Sequence, residues 1–119
     1  MKKVIPFLFV CFLMAALAPT PASAQLVKTS LRVTVLNELG NPQENATVKL
    51  YLNEDDYKQS ANPVATEKTD EKGRATFKEL ESKAYFVEAE KGDMNNYGLG
   101  TKTDKLVEKR MNKVNVVIE

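Results

Sequence analysis

The 119-residue chain has no histidine and no tryptophan, and its single cysteine is Cys11. The missing histidine removes the commonest proton carrier and metal ligand of neutral pH. Cys11 lies inside an apolar run, residues 4–18, that follows Lys2 and Lys3 and leads to Pro19, Pro21 and Ala22-Ser23-Ala24. That layout is a secretory signal peptide over 1–24, with cleavage expected before Gln25. Cleavage removes the cysteine, so structural zinc, disulfides and thiol catalysis are excluded from the product. The run is shorter than the roughly 20 residues a spanning helix needs and contains Pro6, so no integral membrane anchor is expected in the mature chain. A lipid-anchored form would need its cysteine at the cleavage point, which Cys11 is not.

Charge of one sign is also missing. With Lys2 and Lys3 gone, 15 basic residues face 16 acidic ones, a net of −1. This argues against nucleic acid or an anionic membrane as the main partner. The 95 residues from Gln25 to Glu119 suffice for one domain with one modest core.

What is present is alternation of period two, the pattern of half-buried strands. Leu31, Val33 and Val35 share one face of SLRVTVLN, and Val48, Leu50 and Leu52 one face of ATVKLYLN. Ala75 and Phe77 share a face of RATFKEL, Tyr85, Val87 and Ala89 a face of AYFVEAEK, and Val114, Val116 and Ile118 a face of KVNVVIE. VATEKT is a weaker strand, and KLVEKRMN reads as a short edge strand or a helical turn. The segment EDDYKQSANP suits one helical turn with acidic residues at its start, a connection rather than a core element. Residues 92–103, with three glycines and no apolar period, read as a long exposed loop. Between VATEKT and RATFKEL stands Asp70-Glu71-Lys72-Gly73, where Asp bonds nearby backbone and Gly takes positive φ; a β-hairpin is expected there, with Asp70 and Gly73 as structural turn residues. About seven strands at this spacing predict an all-β, two-sheet antiparallel β-sandwich.

The chemical inventory is thin. Ser30, Ser60 and Ser82 lie in no nucleophile elbow. Glu54-Asp55-Asp56 lacks the alternating acids and glycine of a calcium loop, YGLGTK lacks the spacing of a phosphate loop, and Asn45-Ala46-Thr47 is a short glycosylation triplet at a turn. No catalytic residue, metal or cofactor is expected. Tyr51, Phe86 and Val117 alternate out of phase with the core and, on neighbouring strands, would form an apolar face for a protein partner. Tyr57 and Tyr97 fall in predicted loops and are the candidate contacts for a carbohydrate.

The order VTVLNELGNPQENATVKLY, TDEKGRATFKEL and AYFVEAEKG resembles the carboxypeptidase regulatory-like domains. It carries the reversing turn with Gly40 and Pro42 before Ala46 and Val48, the Thr69-Asp70 to Gly73 turn, Phe77 and Leu80 after it, and Tyr85 with Val87. The resemblance implies a transthyretin-like (prealbumin-like, Ig-like) sandwich over 25–119 that serves as a non-catalytic accessory or binding module. The B-type repeats of collagen adhesins are similar in layout. Their internal Lys-to-Asn cross-link needs a lysine where this chain has Leu36 and Asn37, while Glu88 and Asn115 are expected to point outward. The sequence thus predicts an exported, periplasmic or extracellular module that contacts an envelope or surface protein. A lectin-like module is the alternative, and an enzyme-associated subunit the weaker one.

Overall fold

The computed structural model describes residues 28–119. The signal peptide expected over 1–24 and its cleavage point lie outside the described residues. Seven strands and one short helix follow in order: β1 (Ser30–Leu36), β2 (Thr47–Tyr51), α1 (Glu54–Gln59), β3 (Ala65–Lys68), β4 (Arg74–Phe77), β5 (Phe86–Lys91), β6 (Met94–Asn95) and β7 (Met111–Val117). They form a three-stranded sheet, β4-β1-β7, facing a four-stranded sheet, β3-β2-β5-β6. The chain is an all-β sandwich.

Period-two patterning sets which side of each sheet is dry. Leu31, Val33 and Val35 of β1 meet Val48 and Leu50 of β2 and Val87 and Ala89 of β5 in one core, all fully buried. Val33 sits at its centre, level with Ala75 on β4 and Val114 on β7. Burying a Val or Leu side chain contributes about 1.5–3 kcal/mol, so this core is the main favourable term holding the two sheets together.

Four sequence expectations are corrected. First, not every pairing is antiparallel: β7 runs parallel to β1, from Ser30↔Met111 to Leu36↔Val117. The chain leaves the four-stranded sheet after β6 and crosses to the other sheet before β7, a connection long enough for a parallel neighbour. Second, β3 and β4 do not form a hairpin, because β3 bonds to β2 and β4 to β1. The turn at 70–73 is a corner between sheets. Asp70 Oδ1 accepts from the backbone N–H groups of Lys72 at 2.8 Å and Arg74 at 3.0 Å, and Thr69 Oγ1 accepts from Ala46 N at 2.8 Å while donating to Gln43 O at 2.6 Å. Gly73 takes φ 76°, and a Cβ there would lie 2.8 Å from Pro42 Cβ and 3.0 Å from both Gln43 N and Val35 O. Third, β2 ends at Tyr51, which leaves Leu52 exposed instead of in the core.

The fourth correction concerns 92–103. This segment carries β6 and is anchored by Asn96, which is 1% exposed. Its Oδ1 accepts from Ala89 N at 2.9 Å, and its Nδ2 donates to Val87 O at 2.9 Å and to Thr101 Oγ1 at 3.1 Å. One side chain thereby bridges β5 between its backbone bonds to Asn96 and to Thr101, and satisfies buried groups that would otherwise be orphaned.

Candidate functional site

The candidate site grows from the outer face of the four-stranded sheet. After β2, Asn53 caps α1: its side chain accepts from Asp56 N at 2.8 Å. Glu54, Asp55 and Asp56 complement the positive end of the helix. Lys58 pairs with Glu54 one turn earlier at 3.4 Å. Ser60 then closes the helix in the left-handed conformation, φ 51°. The six-residue helix folds back over the sheet because Tyr57 finds two aromatic neighbours there. Its ring stacks on Phe86 at 5.3 Å with an interplanar angle of 28°, and meets Tyr51 edge-on at 6.0 Å. Lys102 also lies over the Phe86 ring, its Nζ 5.2 Å from the ring centre.

Beneath this lid lies Glu88, only 3% exposed. Its Oε1 accepts from the Tyr51 hydroxyl at 2.8 Å and its Oε2 from the Ser60 hydroxyl at 2.5 Å. Burial raises the Tyr51 phenol far above its ordinary value, and the hydrogen bond to Glu88 and the charge of that carboxylate raise it further. Tyr51 is therefore a fixed donor. Lys49 is the register partner of Glu88 on β2, yet the ion pairs among the described residues join Lys28 to Glu79, Lys58 to Glu54 and Lys83 to Glu81, and leave Glu88 with neutral donors.

Glu88 opens onto a cavity of about 260 Å³, bounded also by Glu54, Tyr57, Lys58, Ser60, Tyr97, Gly98 and Gly100. Tyr97 comes from the segment held by Asn96. Its hydroxyl donates to Glu90, and this bond, with partial burial behind it, pushes the phenol up to about 12. The arrangement offers a recessed carboxylate, aromatic walls and a mouth that glycines keep open. No group of three or more His, Cys, Asp and Glu suited to a metal ion occurs among the described residues.

The family model described as SMCHD1 Ig-like domain 6 matches residues 22–118. The chain belongs to this family. Among solved structures, this Ig-like domain is similar to the TIE protein of Bacillus anthracis, with 25% identity, a TM-score of 0.58 and coverage of 77% of this chain and 17% of that one. It is also similar to BcpA, the major pilin subunit of Bacillus cereus, with 15% identity, a TM-score of 0.50 and coverage of 78% of this chain and 30% of that one. The Ig-like domain thus spans less than a third of either structure. No curated protein matches it.

The Ig-like domain disperses the apolar face expected from Tyr51, Phe86 and Val117. Tyr51 and Phe86 are register partners on β2 and β5, but Val117 lies on β7 in the other sheet. Tyr51 is fully buried and Phe86 half-buried, because α1 and Lys102 cover the face that alternation assigns to solvent. Val117 is exposed. Tyr57, expected in a loop, is a buried helix residue, and it shares one cavity with the exposed Tyr97. Glu88, expected to point outward to solvent, is on the outer face and buried. Sequence reasoning did not single out Ser60 or Asn96. The acidic start of EDDYKQS and its Asn53 cap were the available signal that a short helix would bring Ser60 to the sheet.

Proposed function

We propose that the protein is exported and acts as a non-enzymatic accessory or structural module of the bacterial cell envelope, in contact with another envelope or surface protein. The observation that carries this reading is modular: one self-contained sandwich matches a fraction of the TIE protein and a fraction of a major pilin subunit. The narrower likeness to carboxypeptidase regulatory-like domains, drawn from the turn and strand motifs between Leu31 and Lys91, supports the same accessory role. Glu88, the buried carboxylate among the described residues, receives two hydroxyl hydrogen bonds that tie β2, β5 and the end of α1 together, a structural use of an acid.

The carbohydrate reading keeps one observation in its favour, since Tyr57 and Tyr97 line a common cavity. Tyr57, however, is buried against Phe86, which leaves Tyr97 as the exposed ring. A sugar platform needs a ring face open to stack on.

Fractionation of the native host, with intact-mass analysis and cross-linking capture, tests the proposal. The expected result is an exported species beginning at Gln25 that is cross-linked to one envelope protein. A cytoplasmic product overturns the export reading, and one that retains Cys11 or carries lipid overturns the expected cleavage before Gln25.

A further inference from the structure

We propose that the cavity beneath α1 binds an ammonium group, carried by an alkylamine or by a lysine side chain, with Glu88 as its counter-charge and Tyr57 and Tyr97 as its walls. A carboxylate withdrawn from water needs compensation by hydrogen bonds or opposite charge. Glu88 has hydrogen bonds from Tyr51 and Ser60 but no ion-pair partner among the described residues. Each carboxylate oxygen can accept a second hydrogen bond, and Glu88 borders the cavity where a further donor would sit.

The rest of the lining selects the same chemistry. Lys58, its one cationic side chain, is drawn towards Glu54 on the exposed helix surface, so the two carboxylates outweigh it and disfavour an anion. Tyrosine rings attract cations through their π faces, and Tyr97 is exposed enough to offer one. A Cβ built on Gly98 or Gly100 meets nothing within 4 Å, so the mouth is open. At about 30 Å³ for each water in the liquid, a space of 260 Å³ has room for an ammonium head and several methylenes. This inference stands apart from the accessory-module reading, because a soluble amine tests the cavity with no protein partner present.

The test is a backbone-amide NMR titration of the exported protein with n-butylammonium, Nα-acetyl-lysine methylamide, n-butanol and a neutral disaccharide, all at one ionic strength. The expected result is saturable shifts at Ser60, Gly98 and Gly100 with both ammonium compounds and none with the alcohol or the sugar. Glu88→Gln should weaken ammonium binding about tenfold or more. Should that buried substitution prevent folding, the surface variants Tyr97→Ala and Glu54→Gln decide, with a several-fold loss expected in each. Tighter binding of the capped lysine assigns the group to a protein side chain, and tighter binding of butylammonium assigns it to a free amine. Absence of saturation with either ammonium compound, an equal response to butanol, saturation by the disaccharide, or unchanged affinity in both surface variants overturns the proposal.

Discussion

The Tyr51 hydroxyl donates to Glu88 Oε1 at 2.8 Å, a diagonal link from the end of β2 to the second position after its register partner Phe86 on β5. Both residues are withdrawn from solvent, and Tyr51 stays protonated far beyond its ordinary range. Tyr51→Phe keeps the ring and removes the donor, so Glu88 keeps Ser60 alone. A hydrogen bond to a buried charged group is worth about 1.5–3 kcal/mol, and a loss of that order is expected in urea unfolding. The Glu88→Gln background supplies the control: there, Tyr51→Phe should cost measurably less. Equal costs in the two backgrounds would show that the carboxylate is not what the phenol stabilises.

Gly73→Ala should be among the most damaging single-methyl additions in the domain. The new Cβ meets Pro42 Cβ at 2.8 Å, and Gln43 N and Val35 O at 3.0 Å, on a residue whose φ of 76° already disfavours a side chain. Two of those neighbours are backbone atoms, and Val35 is held in β1, so relief by side-chain rotation is blocked. Strain of this kind and overpacking each cost about 1–3 kcal/mol, which sets an expected loss of about 2 kcal/mol or more. Gly40→Ala is the comparison: it carries a similar positive φ with nothing within 4 Å, and its loss should be smaller. Thermal denaturation of the two variants side by side gives the answer, and equal midpoints would contradict the packing account of Gly73.

Asn96→Ala removes three hydrogen bonds and leaves Ala89 N–H and Val87 C=O without their side-chain partner. A buried polar group left unpaired costs about 1–3 kcal/mol, so a total of about 2 kcal/mol or more is expected. The effect should be local first. Hydrogen exchange at Ala89 should accelerate more than at Val33 in the core. Uniform acceleration at both positions would place Asn96 in the global unfolding unit instead.

Acid should weaken the corner between the sheets. Hydrogen bonds from Arg74 N and then Lys72 N lower the Asp70 carboxyl below its ordinary 3.8 in the folded state. A depressed folded value means that the stabilisation is complete above 3.8 and is lost as pH falls through the lower folded value. Asp70→Asn should therefore lie below the parent protein in denaturation midpoint at neutral pH, with the gap narrowing as pH falls below 3.8. A gap that stays constant across this interval would assign the cost to geometry and not to charge.

The inner faces of β1, β2, β4, β5 and β7 were legible because each alternates against a single dry side, which is why Leu31, Val33, Val48, Val87 and Val116 fall where alternation puts them. Alternation cannot tell a wet outer face from one covered later by another element. Tyr51, Phe86 and Glu88 do lie on the outward side, but six residues of helix turn that side into a second, smaller interior. Nor does local turn chemistry say which strands pair: Asp70 and Gly73 make the tight reversal their residue types favour, and β3 and β4 then part to opposite sheets. Asn96 left no periodic signal, since two of its three partners are backbone atoms of β5. A double Tyr51→Ala, Phe86→Ala variant is accordingly a test of folding, and the cavity is better probed from Tyr97 and Glu54.

The parallel alignment of β7 with β1 bears on how the domain takes a load. Tension that draws the Ser30 end of β1 one way and the Val117 end of β7 the other makes the two strands slide past each other lengthwise, so the seven paired positions from Ser30↔Met111 to Leu36↔Val117 resist together instead of peeling in succession.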